Sequence, residues 1–373
     1  MTGASPGFEA TTMAANLTPQ YQKAEQQYRR AQTAAEQETC LLRMLQLIPK
    51  HKGTEKLQAD LKSRLKEVRQ LRQQEQEASS RSGNSYRFAA QGAGRIVIVG
   101  PPNGGKSRIL RDLTSATPEV SPWPFTTREP SAGMMSWKDV SIQLIDTPPL
   151  AGNQPEPWLL NLIRTADAVL LVFNGADDDA PAETLRVLQE LNRRKTRLST
   201  ESGFDETDFA VLRIPTRIVA THAADSDCTL RLEMFRELCV AENIFTDLLD
   251  TIIPVELDRS ELLPQLADVI YSLLNLIRIY TRRPGTAEIH PEPVTIPSGG
   301  TVEDLALALH EELFEQLSHA RVWRQLREEF VVNHDRPGSQ TTQVVHPGHS
   351  VHNGQTVGRQ YVLIDGDVVE LHR

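Results

Sequence analysis

Residues 100–107 read Gly100-Pro101-Pro102-Asn103-Gly104-Gly105-Lys106-Ser107, the spacing G-x-x-x-x-G-K-S. Each residue type there has a chemical use. Glycines let successive backbone N–H groups turn toward phosphate oxygens, and a helix starting at the end of the run presents its positive N-terminus to the same anion. Lys106 is suited to neutralise β- and γ-phosphate oxygens, and Ser107 to offer its hydroxyl to Mg2+. Pro101, Gly104 and Arg108 share the main chain of this cradle and are expected to line the bound nucleotide. Downstream, SPWPFTTREP at residues 121–130 has neither helical nor strand periodicity, and it places Thr126 and Thr127 where a hydroxyl could reach the metal. The run SIQLI at 141–145 then ends in Asp146, at the C-terminal edge of a strand, where a carboxylate can hold Mg2+ through water. Taken singly, a Thr-Thr loop and a strand-end Asp are ordinary structural features. In series behind the phosphate loop they read as one site for a magnesium triphosphate.

Those residues need a sheet behind them. RIVIV at 95–99 is a short apolar strand candidate, and similar runs recur at 140–145, 168–173, 217–220 and 251–255, with helical patterns between most of them. Alternating buried strands and amphipathic helices predict an α/β domain with a parallel sheet covered on both faces. A helix from about Ser260 to Ile279 is expected to close that domain, which spans 95–284 and ends at the RRPG turn. Before it, residues 1–17 are expected to be a disordered N-terminus and 79–94, dense in Ser, Gly and Asn, a linker. Residues 18–78 are rich in Gln, Glu, Lys, Arg, Ala and Leu and predict a basic helical hairpin. Thr18-Pro19 and Thr54 start its helices, and the stripe Leu57, Leu61, Leu65, Val68 requires a partner. Residues 285–373 read strand, Gly-Gly turn, helix from Val302 to about Gln316, then strands around Asp365-Gly366-Asp367, a small α+β domain.

Composition narrows the function classes. The 373 residues are 39% hydrophobic and 24% charged, which supports packed cores rather than a wholly disordered chain. Forty Lys+Arg against 49 Asp+Glu exclude a protein that coats nucleic acid by bulk charge. Residues 50–95 nevertheless carry eleven Lys+Arg and five Asp+Glu, which suits either a solvated helix face or a phosphate-backbone contact. Cys40, Cys228 and Cys239 are too few and scattered for a disulfide framework and point to a reducing, cytoplasmic setting. No apolar run approaches the roughly 18 residues of a membrane span, and no signal pattern opens the chain. No membrane partner is therefore expected. Eight of ten histidines follow Gly285, three of them in HPGHSVHNG (His346, His349, His352), but Pro and Gly there suggest a loop and no carboxylate or Cys completes a metal set.

The motifs at 48–69 (IPKHKGTEKLQADLKSRLKEVR), the phosphate loop, PFTTREP, SIQLIDTPP, LIRTADAVLLVFN and LIRIYTRRPG together resemble the Obg/DRG group of GTP-binding proteins. PVTIPSGGTVEDLALALH and YVLIDGDVVELHR resemble the TGS domain, a ubiquitin-like β-grasp module. The resemblance implies a P-loop GTPase that hydrolyses GTP to GDP and phosphate with Mg2+ and associates with a ribosome or another RNA–protein particle. By that resemblance Gly100, Gly105 and Lys106 are phosphate-loop residues. Ser107 and one of Thr126 and Thr127 ligate Mg2+, and Asp146 is the switch aspartate. Asn103 is similar to asparagines that hold a monovalent cation, so K+ is a further expected cofactor, and Lys106, Asn103 and Thr127 would carry the catalytic step.

The chain departs from that pattern in three places. Pro149 stands where the switch motif usually ends in Gly and has no N–H for a γ-phosphate. Leu150 follows where Ras-like proteins keep a water-orienting glutamine, which implies slow intrinsic turnover. The guanine-reading Asn-Lys-x-Asp is replaced by His222-Ala223-Ala224-Asp225, and the Ser-Ala-Lys-like motif by Val255-Glu256-Leu257. Asp225, with His222 beside it, is left to accept hydrogen bonds from the base. The rival expectation is a degenerate, non-hydrolysing nucleotide-binding scaffold linking partners through its hairpin and TGS domain. Residues 285–373 carry 13 Asp+Glu and six Lys+Arg, so that domain is expected to contact protein rather than RNA.

Overall fold

The computed structural model describes residues 19–30, 34–48, 54–78, 88–114, 129–150, 156–205, 211–242, 245–286, 288–324 and 354–373. Three helices, α1 (Pro19–Arg30), α2 (Ala34–Leu47) and α3 (Glu55–Ala78), come first, so the expected hairpin is corrected to a three-helix unit. The Leu61, Leu65 and Val68 stripe finds its partner in Tyr21, Leu41, Met44 and Ile48, with Leu57 packed at the margin. A two-helix hairpin would leave one side of that stripe wet, and α1 covers it.

The central domain runs β1 (Arg95–Val99), α4 (Lys106–Leu113), β2 (Ser131–Trp137), β3 (Val140–Asp146), α5 (Pro157–Arg164), β4 (Ala168–Asn174), α6 (Ala180–Arg193), β5 (Thr196–Ser199), β6 (Gly203–Phe204), β7 (Leu212–Thr221), α7 (Cys228–Ala241), α8 (Thr246–Leu249), β8 (Ile253–Pro254) and α9 (Leu263–Leu273). Its sheet is ordered β2-β3-β1-β4-β7-β5, with β6 and β8 also on β7. Pairs β3-β1, β1-β4, β4-β7, β5-β7 and β7-β8 are parallel; β2 returns antiparallel to β3. Alternation along β1 divides the core: Val97 and Val99 pack with α5, α6 and α7, while Ile96 and Ile98 pack with Ile109 of α4 and Ile270 of α9. The chain leaves β1 between β3 and β4, at the point where the strand order reverses, which is where parallel sheets open a crevice for ligands.

The last helix of this domain stops at Leu273, not Ile279. Leu276–Thr281 is instead β9, whose Ile277 and Ile279 point into a second core, an alternation of two that a helix cannot satisfy. The second sheet therefore begins before residue 285. It is ordered β10-β9-β13-β11-β12 and adds β10 (Val294–Pro297), α10 (Val302–Leu309), α11 (Glu311–Gln316), β11 (His319–Trp323), β12 (Gln355–Val357) and β13 (Val368–His372). Thr301 and Asp304 form a reciprocal capping box that starts α10. The residue 346–352 histidine run lies outside the described residues.

Side chains tie the units together. Arg278 of β9, 5% exposed, reaches Asp365 beside β13 at 2.7 Å and Asp139, in the β2–β3 turn, at 2.8 Å. Tyr280 donates its hydroxyl to the same Asp139, and Trp137 stacks on Tyr271 of α9 with centroids 3.6 Å apart. Lys23 of α1 donates to Leu307 O at 2.6 Å, and Arg43 of α2 pairs with Glu311. Cys228 and Cys239 are buried and Cys40 is half-buried. Among the described residues no helix is long and apolar enough to cross a membrane. Because Arg278→Ala would leave two carboxylates facing each other without a cation, it should lower stability in urea denaturation by about 3 kcal/mol. Arg278→Lys should recover little, since an ammonium cannot span both partners.

Candidate functional site

The glycine-rich turn follows β1 directly. A Cβ on Gly100 would lie 2.6 Å from Val172 O, so only glycine lets the turn pass this close to β4. Gly105 has φ +90°, a left-handed conformation, and starts α4 without a side-chain cap. As a glycine, that N-cap residue has no side chain of its own to compete with an anion for the first N–H groups of α4. Lys106 is 5% exposed; its Nζ folds back to donate to Gly100 O at 3.1 Å and Pro101 O at 2.6 Å. Burial pushes its pKa down to about 8, opposed by the Asp146 carboxylate. A cation so held is under-compensated, and phosphate oxygens would supply what is missing.

Ser107 donates its hydroxyl to Asp146 Oδ2 at 2.5 Å. Asp146 is fully buried, its pKa raised by that burial against the Ser107 bond and the Lys106 charge. Its Oδ1 has no hydrogen-bond partner, although it is buried. An orphaned carboxylate oxygen beside a serine hydroxyl is a donor set that fits a hard cation such as Mg2+. Thr147 Oγ1 donates to Ile98 O at 2.8 Å, which fixes the chain just after Asp146 against β1. Thr126 and Thr127 lie outside the described residues. Asn103 is exposed with φ 55°. Arg108 turns away, to Asp258 at 2.6 Å, Asp112 at 3.3 Å and Leu257 O at 3.3 Å.

Two residues that sequence reasoning missed hold the turn from behind. Thr221, the last residue of β7 and fully buried, shares its hydroxyl hydrogen between Gly104 O at 2.9 Å and Phe173 O at 3.2 Å. Asn174, the last residue of β4, donates Nδ2 to Asn103 O at 3.3 Å. Their only sequence signal is position: each is the polar residue on which its strand ends, and the two are paired across β4 and β7.

His222 follows with φ 53°, and Asp225 closes the turn, Asp225 N donating to His222 O at 3.0 Å. The Asp225 carboxylate faces α7: Oδ1 accepts from Arg231 Nη1 at 2.7 Å and from Asp227 N at 3.0 Å. Arg231 depresses its pKa. From the other side of the loop, Glu256 Oε2 accepts from Ala224 N at 3.2 Å. The site therefore gathers Gly100, Pro101, Gly104, Gly105, Lys106, Ser107 and Asp146 closely, with His222 and Asp225 on the adjoining strand end.

The protein-family model described as "50S ribosome-binding GTPase" matches residues 95–201, and the TGS domain model matches 277–335. The chain thus carries a P-loop GTPase domain followed by a TGS domain. An uncharacterized GTP-binding protein of Caenorhabditis elegans is 25% identical over 321 residues, 74% of this chain and 87% of that one. Developmentally-regulated G-protein 3 of Arabidopsis thaliana is 24% identical over 338 residues, 78% and 85% of the two chains. Among solved structures, the YchF GTPase of Schizosaccharomyces pombe gives a TM-score of 0.49 at 15% identity, covering 78% of this chain and 100% of that one. Removing the Thr221 strut by Thr221→Val should cost about 1 kcal/mol in urea denaturation, whereas Thr221→Ser should keep it.

Proposed function

We propose that the chain binds GTP as its magnesium complex at residues 100–107 and hydrolyses it slowly, as a switch on a ribosome or other RNA–protein particle. The single observation that carries the reading is the buried Lys106, held by two carbonyls at the mouth of an uncapped helix. The names of the matching relatives, GTP-binding proteins over three quarters of the chain, support guanine as the base.

In this reading the α4 N-terminal N–H groups and Lys106 grip the β- and γ-phosphates and oppose the charge that grows on the bridging oxygen as the γ-phosphoryl group leaves. Ser107 and Asp146, with Thr126 or Thr127, would hold the metal, which would draw charge from the same oxygens. In the same reading the exposed Asn103 would hold K+ and so add positive charge beside the phosphates. Leu150 cannot orient water, so turnover rests on positioning and stays slow. The ribosome or RNA contact is assigned to the basic stretch 50–95, supported by the description of the matching GTPase model, and a protein partner to the TGS domain.

The second reading, a non-hydrolysing nucleotide-binding scaffold, is favoured by one feature: Pro149 offers no N–H where a γ-phosphate would be sensed. Single-turnover phosphate release in K+ and Na+ buffers separates the two, because bound nucleotide without release in either supports the scaffold. Lys106→Ala should abolish mant-GTP binding while leaving the circular dichroism spectrum intact, and EDTA should weaken binding to the unaltered chain. Normal binding by the variant would remove the phosphate-cradle assignment. Reversing the charge of Lys50, Lys52 and Lys56 should reduce ribosome co-sedimentation and flatten its salt dependence; an unchanged profile would return those lysines to a solvated face.

A further inference from the structure

Arg231 lies on α7 with its side chain only 10% exposed, and every donor face of its guanidinium is used. Nε donates to Asp178 Oδ1 at 2.8 Å, Nη1 to Gly175 O at 2.6 Å and to Asp225 Oδ1 at 2.7 Å, and Nη2 lies 2.7 Å from Asp178 Oδ1. It thereby ties the loop after β4 to the loop after β7. Those loops also meet without slack: a Cβ on Gly175 would come within 2.5 Å of Thr221 O and 2.6 Å of Cys228 Sγ. The arginine cannot swing away without parting them.

A carboxylate that reads guanine must offer one oxygen to the ring N1–H and the other to the 2-amino group. Asp225 has already committed Oδ1 twice, to Arg231 and to Asp227 N, with its charge matched by the guanidinium. Ala223 and His222 stand where Lys and Asn would complete the usual reading motif, and Thr221 bonds the phosphate loop at Gly104 O. We propose that Arg231 is a specificity-determining residue that withdraws Asp225 from base recognition, so that the site accepts purine nucleoside triphosphates through their phosphates with little selection for the guanine 2-amino group. The inference rests on the reading of residues 100–107 as a triphosphate site and concerns only what that site asks of the base.

The test is equilibrium titration of the full chain with mant-GTP, mant-ITP and mant-XTP in Mg2+. A working carboxylate reader loses about tenfold or more when the 2-amino group is absent, so the expected GTP-over-ITP ratio of less than about threefold is distinct from it. Arg231→Gln should raise that ratio by freeing Asp225. Asp225→Asn, which preserves shape, should leave GTP affinity within about threefold and create no preference for XTP, whose 2-oxo group an amide reader would favour. A tenfold GTP preference in the unaltered chain, a swing to XTP in Asp225→Asn, or an unmoved ratio in a folded Arg231→Gln each overturns the proposal. Should Arg231→Gln fail to fold, the unaltered chain and Asp225→Asn decide it. Failure of all three nucleotides to bind would instead overturn the triphosphate reading, and this inference with it.

Discussion

A cation buried under a turn of main chain sets the terms for the central domain. Taking an ammonium out of water is costly unless several partners replace the lost hydration. Two carbonyls and the field of Asp146 replace part of it for Lys106, and the carbonyls are available only because the chain crosses β4 at Gly100 with no side chain in the way. Around that cation the C-terminal ends of β1, β3, β4 and β7 carry the glycine turn, Asp146, Asn174 and Thr221. Elsewhere along these strands the buried side chains are mostly apolar, and the buried pair Arg95 and Gln143, bonded at 3.0 Å, sits at the opposite end of β1.

The parts of this arrangement legible in the sequence are those in which local pattern and chemistry coincide. The phosphate loop announces itself by spacing, and β1, β3 and β4 by unbroken apolar runs flanked by turns. Leu61, Leu65 and Val68 declared a missing partner, but not that a third helix would supply it. Leu276–Thr281 looks helical in sequence because LIRIY continues smoothly from a helical pattern; Ile277 and Ile279 separate from Arg278 and Tyr280 only once a second core is there to receive them. The Thr221 strut and the Arg231 to Asp225 pair depend on where a side chain points across a loop, which neighbouring residue types do not fix. In the second case the position of Asp225 was legible, while its engagement was not.

The tip of the β2–β3 hairpin joins this domain to the TGS sheet through Asp139, Arg278 and Asp365, with Trp137 stacked on Tyr271 behind it. The base of the same hairpin ends at Asp146, in the magnesium site. Six residues of paired strand, 140–145, therefore lie between a candidate metal ligand and an interdomain clamp.

The distribution of thiols has a practical side. Burial pushes the Cys239 thiol up to about 11 and that of Cys228 upward too, so neither offers much thiolate near neutral pH. Cys40 is the remaining cysteine, half-buried on α2, the helix whose Arg43 touches α11. A maleimide dye added to the unaltered polypeptide would consequently settle on that helix, giving a single fluorophore beside the junction of the first and last units without engineering any position.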